Sequence, residues 1–375
     1  MKVMNKGLKV FVVPWEYARR WGKKNPWLSF LLATVSLMVL IHFYIALFVP
    51  PSREKVWKEV EVAEGMSFKE IAALFREEGV IRYRGYFEII GRMQGISRKV
   101  RSGFYGLNTN MSIWDVLEAL RKGRIIEYEI VIPEGYNLYQ IAWTLSGTPL
   151  VSDPQQFINL VRNKKYVRSL GVEADSLEGY LFPDTYYLPK GIKLEEIPKK
   201  MVQRYKAVFG EDFRSRAKDL GLSEHEVLTL ASIVEKEARK DSERTLISAV
   251  YHNRLKKGMK LQADPTAVYG TKAWITKVTR SDLKRRSPYN TYLRKGLPPG
   301  PIANPGEGAI LAALYPDKVD YLFFVAQGDG SHYFSKDFSS HAKAISRYRV
   351  IQKKFQQQQE MEKEMENETQ QKEKE

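Results

Sequence analysis

The chain contains no cysteine. That absence removes disulfides, thiolate metal sites and cysteine nucleophiles, although it identifies no compartment. Histidine is scarce as well. His42, His225, His252, His332 and His341 are the full set, and none stand at a metal-binding spacing. No metal site and no cofactor is expected. Basic residues dominate, with a formal net charge of +16, yet they form no dense stripe and accompany no nucleic-acid-binding motif. Nucleic acid is therefore not the expected partner.

Much of the positive charge is instead a topology signal. Lys2, Lys6, Lys9, Arg19, Arg20, Lys23 and Lys24 precede the first apolar run, against the single acid Glu16. The run itself, Trp27 to Val49, carries no charged residue and is long enough to cross a bilayer core, for which roughly 20 residues suffice. It ends in Phe48-Val49-Pro50-Pro51 without the small-residue site of a cleaved signal peptide. The expectation is a single-pass cell-membrane helix (27–49) behind a cytoplasmic basic segment (1–26), with everything after about Pro51 extracytoplasmic. The remaining positive charge suits anionic polymers of a cell envelope.

A length of 375 residues with 43% hydrophobic content allows two domains with real cores, and the class expected is α+β. Glu59 to Val62 reads as a strand, Glu64-Gly65 as a turn, and Ser67 with Glu70 as a capping box opening an amphipathic helix. The pattern recurs. Val62-Ala63-Glu64-Gly65 followed by Ile71-Ala72 matches Ile132-Pro133-Glu134-Gly135 followed by Ile141-Ala142. Between the copies, Arg101 to Tyr105 and Met111 to Leu120 give another strand, turn and helix, stopped by Gly123. This divides the chain into a small α/β module over 58–126 and a mixed α+β domain over 127–349, with a soft boundary at 124–127. From 350 to 375, glutamine, lysine and glutamate form a low-complexity charged tail.

Ser223 and Glu226 make another capping box, so a helix is expected from Glu224 to about Arg239. Val227, Ala231, Val234 and Ala238 share its core face. Glu235 and Glu237 flank that face at comparable angles, and periodicity does not choose between them. An acid in such apolar surroundings keeps its proton near neutral pH and can act as a general acid; the plainer reading is two glutamates on a solvated helix edge. Ala231 and Ser232, one turn before Glu235, are small and leave room for a ligand, which points to Glu235. Downstream, Met259 to Thr266, Ser287 to Tyr292 and Gly296 to Gly306 are loops rich in proline, amides and aromatic rings, the equipment of a carbohydrate groove.

These blocks, with Leu177-Glu178-Gly179-Tyr180-Leu181-Phe182-Pro183-Asp184-Thr185-Tyr186 upstream, resemble the MltG (YceG-like) family of endolytic murein transglycosylases. The tail and much of 271–286 lie outside the resemblance. It implies a LysM-like membrane-proximal module and a YceG-like catalytic domain that cuts the MurNAc–GlcNAc β-1,4 bond inside nascent peptidoglycan strands. The product is a 1,6-anhydro-MurNAc end, and the cut limits strand elongation. By the resemblance Glu235 falls on the catalytic glutamate. Gln262 and Asn290 are expected to hydrogen-bond sugar, Tyr289 to stack on it, and Asp264 to brace a loop or stabilise charge. Ser232, Thr266 and Glu178 complete the expected substrate-facing set, although Glu178 and Asp184 also read as turn formers. Partners implied are peptidoglycan strands, the membrane, and cell-wall synthases or elongation and division proteins. Two rivals stand beside this reading. A hydrolytic muramidase would use Asp264 or Glu237 as a second carboxylate, and a catalytically silent wall-binding scaffold would need none.

Overall fold

A computed structural model describes residues 26–271 and 278–350; the basic head and the glutamine-rich tail lie outside the described residues. The chain divides into two compact units, 1–126 and 127–375.

In the first unit, helix α1 (Pro26–Phe48) has a mean hydropathy of 2.3 and is long and apolar enough to cross a membrane. Strand β1 (Trp57–Val62) pairs antiparallel with β2 (Gly103–Asn108), from Trp57 opposite Asn108 to Val62 opposite Gly103. Helices α2 (Phe68–Glu77) and α3 (Arg84–Met93) connect the two strands, and α4 (Ile113–Lys122) follows. Ser67 caps α2 reciprocally with Glu70, and Ser112 caps α4 with Asp115. Alternation sets the core face of β1, where Val60 and Val62 turn inward onto Ile71, Phe75 and Leu117.

The second unit opens with β3 (Glu127–Val131), antiparallel to β4 (Thr185–Pro189). Helices α5 (Leu138–Ser146), α6 (Pro154–Val161) and α7 (Lys164–Ser169) lie between these strands in sequence. The turn before α5 repeats the one before α2, with Gly65 at φ 82° and Gly135 at φ 73°, a left-handed conformation that favours glycine. Next come α8 (Glu196–Val208), α9 (Glu211–Asp219) and α10 (Glu224–Glu237), then α11 (Arg244–Lys256), α12 (Asp264–Val268), α13 (Arg280–Lys284) and α14 (Glu307–Leu314). The hairpin β5 (Phe323–Ala326) and β6 (His332–Ser335) follows, and residues 338–350 are helical.

Helix α10 is central. The sequence gives it one core face, but every residue from Val227 to Val234 is buried. The difference is tertiary: α11 and α14 both pack on it, and the proline-rich loop is tied to its remaining side through Ser232. The helix also ends at Glu237 instead of near Arg239, because Ala238 turns extended at ψ 127°.

Candidate active site

Glu237 is the last residue of α10. There the unpaired carbonyls of the final turn disfavour a negative charge. Its side chain lines a cavity of about 320 Å³, shared with Tyr251, Arg254, Gln262, Asp264 and Tyr292. Burial, reinforced by the nearby charge of Asp264, pushes the carboxyl up to about 7. Three contacts oppose that rise: a hydroxyl bond from Tyr251 at 3.3 Å, a backbone bond from Asp264, and the charge of Arg254. The balance leaves an acid that is substantially protonated at neutral pH yet within reach of a ligand.

Arg254 organises the wall behind it. Its Nε donates to Leu322 O at 2.7 Å and its Nη1 to Leu261 O at 2.7 Å, so one buried guanidinium ties the segment before β5 to the loop before Gln262. Gln262 is the one non-glycine among the described residues with positive φ, at 52°. Such a conformation costs about 1–2 kcal/mol, and here it accompanies an exposed amide side chain lining the cavity. Asp264 is likewise exposed, and Tyr292 donates its hydroxyl to Asp264 Oδ1 at 2.5 Å.

Several expected substrate ligands lie elsewhere. Ser232, Thr266 and Asn290 are fully buried. Ser232 Oγ donates to Thr229 O and accepts from Ile302 N, pinning the proline-rich loop to α10. Thr266 Oγ1 meets Thr291 Oγ1 at 2.8 Å, and Thr291 Oγ1 accepts from Ala263 N at 3.0 Å. Asn290 Nδ2 donates to Leu283 O and Arg285 O. In each case the polar side chain satisfies groups of a neighbouring turn and has none left for a sugar. They build the loops that present Gln262 and Asp264.

Tyr289 and Glu178 border a different cavity, beside His225 and Pro301. Glu178 is 2% exposed. It accepts from Leu138 N, from Tyr269 Oη at 2.9 Å and from Asn304 Nδ2 at 2.9 Å. Asn304 Oδ1 in turn accepts from Gly179 N and Leu181 N, so the pair latches three loops together. Burial pushes the Glu178 carboxyl up to about 7 despite those donors. Asp184 is a surface partner of Arg204 at 2.6 Å.

Glu235 lines none of the cavities described here. One oxygen meets Arg244 Nη2 at 3.3 Å and the other accepts from Gly306 N at 3.1 Å. Arg244 also meets Glu134 at 3.2 Å. Burial raises the Glu235 carboxyl, while Arg244 and the Gly306 amide pull it down. With both oxygens engaged, Glu235 fits a clamp that holds the Gly135 and Gly306 loops. Glu237 thus borders a cavity while both oxygens of Glu235 are engaged by protein groups, and Ser232, one of the small residues before Glu235, meets the backbone of the proline-rich loop.

His332 and His341 also line the Glu237 cavity, although sequence reasoning weighed them only as metal ligands. His332 Nδ1 meets Glu243 Oε2 at 2.7 Å, and His341 stacks on Phe323. No group of residues suited to holding a metal ion occurs among the described residues.

The sequence profile of the YceG-like family matches residues 60–347. An endolytic murein transglycosylase of Bacillus subtilis is 35% identical over 310 residues, covering 78% of this chain and 85% of that protein. One from Streptococcus pneumoniae is 29% identical, covering 79% of this chain and 59% of that protein. The crystal structure of a YceG-like protein from Listeria monocytogenes, 33% identical, superposes with a TM-score of 0.54 over 77% of this chain and 99% of its own.

Proposed function

Because the chain belongs to the YceG-like family, we propose that it is an endolytic murein transglycosylase, a lyase acting on glycan strands of peptidoglycan, with Glu237 as its general acid and base. One observation carries the assignment to Glu237: a carboxyl held near a pKa of about 7 lies in the same cavity as the strained Gln262 and the exposed Asp264. Protonated Glu237 gives its proton to the departing glycosidic oxygen. As carboxylate it then takes the proton from the muramic C6 hydroxyl while that oxygen closes on C1, yielding the 1,6-anhydro end. The nucleophile is already part of the sugar, so no bound water and no second catalytic carboxylate is required. Gln262 supplies hydrogen bonds to sugar, and Asp264 offers negative charge to the oxocarbenium-like transition state.

A second reading, hydrolysis, draws support from one feature, the proximity of Asp264 to Glu237. The product separates the two. A reducing end bearing added water would establish a muramidase, and an anhydro end a transglycosylase. The apolar α1 is compatible with an anchor that keeps the catalytic unit at the outer membrane surface, where nascent strands emerge and where synthases or division proteins would be met. The strand-helix-helix-strand order of residues 57–108, with its two strands antiparallel, supports a LysM-like, glycan-holding role for the first unit.

The test is digestion of purified peptidoglycan by the wild type, Glu237→Gln and Glu235→Gln, with the ends identified by mass spectrometry. Glu237→Gln should lose at least about 100-fold in rate, with Glu235→Gln losing far less. The reverse order would return the role to Glu235, undiminished cleavage in both variants would exclude both glutamates, and a wild type that cuts no glycan would leave a scaffold.

A further inference from the structure

Strand β5 walls two cavities. Val325 and Ala326 border the one that holds Glu237, and the same two residues border a second of about 200 Å³. The helical segment 338–350 also serves both, giving His341 to the first and Lys343 and Arg347 to the second. The two are therefore neighbours along one wall, but their chemistry differs. Among the described residues, the Glu237 cavity carries two carboxylates, Glu237 and Asp264, and its one guanidinium, Arg254, is engaged by backbone carbonyls, whereas the second is lined by no carboxylate and has cations from Lys343 and Arg347 and rings from Tyr333 and Tyr348. Lys343 and Arg347 stand one helical turn apart, a rise of about 6 Å. Both are exposed. Asp337, the carboxylate whose charge reaches Lys343, is engaged by Ser340 through both its backbone amide and its hydroxyl.

We propose that this second cavity is a subsite for the acidic peptide branch carried by the muramic residues of peptidoglycan. The proposal rests on the glycan-cleaving reading above. A sugar placed at Glu237 would carry its peptide out along one wall, and β5 is the wall that leads to the two cations. Arginine matches a carboxylate with paired hydrogen bonds, lysine adds a second charge one turn away, and the tyrosine rings offer faces to the aliphatic parts of a peptide. A phosphate would call for donors converging on one point, whereas these cations are spread along a helix and interleaved with aromatic surface.

Two measurements on the full-length chain in detergent test this independently of the catalytic assignment. In the first, peptide released from peptidoglycan by an amidase is titrated against the wild type, Lys343→Gln/Arg347→Gln and Arg347→Lys. Binding should weaken at least tenfold in the double variant and be partly retained in Arg347→Lys, and it should fall with added salt. In the second, cleavage of peptide-bearing glycan is compared with that of amidase-stripped glycan. The ratio of kcat/KM for the two substrates should fall at least tenfold in the double variant, through KM. Equal peptide binding by wild type and double variant, or saturable binding of inorganic pyrophosphate where the peptide does not bind, would overturn the subsite even if glycan is cut. Peptide binding that needs both cations would uphold it even if the cleavage chemistry proved to be hydrolysis.

Discussion

Tyr251 donates its hydroxyl to Glu237 Oε1 from the adjacent helix, across 3.3 Å, and so opposes the burial that keeps the acid protonated. A donor to the charged form lowers a carboxyl pKa, and removing it raises that pKa. In Tyr251→Phe the Glu237 carboxyl, the proposed acid, should therefore hold its proton to higher pH. The descending limb of kcat against pH, set by loss of that proton, should move upward from about 7. Stability should fall by about 1 kcal/mol for the lost bond. An unshifted pH profile would show that Glu237 is not the titrating acid.

Gln262 pays for its left-handed backbone, so Gln262→Gly should separate stability from function. Glycine adopts φ 52° without strain, which offsets much of its greater chain entropy and leaves the melting temperature unchanged or slightly raised. The amide facing the cavity is lost at the same time. A fall in kcat/KM of about tenfold, the worth of one good hydrogen bond, is expected with folding intact. Unaltered kinetics would reduce Gln262 to a turn residue.

Local signals in the sequence carried the elements well, because capping and turn chemistry act within a few residues. The Ser67–Glu70 and Ser223–Glu226 boxes form, and the repeated strand, turn and helix around Gly65 and Gly135 is present in both units. The site was less legible. Glu235 and Glu237 lie symmetrically about a core face, and only α11, the Gly306 loop and the Gln262 loop distinguish them; all three are tertiary neighbours. Ser232, Thr266 and Asn290 have the composition of sugar ligands, yet their partners include backbone groups distant in sequence, Ile302 N for Ser232 and Thr291 N for Thr266, or carbonyls of a neighbouring turn for Asn290, which leave no trace in residue type. His341 stands on the last described helix, about a hundred residues from Glu237, and no spacing rule connects them.

The pair Thr266 and Thr291 should behave as a positioning device. Thr266→Val keeps shape but removes the hydroxyl that donates to Ala263 O and meets Thr291, leaving buried groups unpaired at a cost of about 1–3 kcal/mol. The turn carrying Gln262 and Asp264 should loosen with it. Turnover should drop, and the descending limb of the pH profile should move with it, since the same turn carries the Asp264 charge and backbone bond that act on Glu237. Unaltered turnover and an unmoved limb in folded protein would show that the threonine pair positions nothing.

Glu178 and Glu237 together predict how stability depends on pH. Each folded carboxyl sits at about 7, above the ordinary value of 4.5, so the folded chain binds more protons than the unfolded chain between those limits. Stability is therefore greatest below about 4.5 with respect to these two groups and is lost as pH rises toward 7. Each contributes on the order of 3 kcal/mol at most, from about 1.4 kcal/mol per pKa unit. Glu178→Gln removes one contribution, but its amide now faces the amide of Asn304, the hydroxyl of Tyr269 and the amide N–H of Leu138, all of which donate to the native carboxyl. The variant should be less stable than wild type at pH 5, by about 1–3 kcal/mol for mismatched buried donors, and the deficit should shrink or reverse by pH 8. Adding Glu237→Gln should flatten the curve further. Urea denaturation of the full chain from pH 5 to 8 measures all three slopes; a Glu178→Gln deficit constant across that range would show that Glu178 is ionised throughout, with its donors outweighing burial.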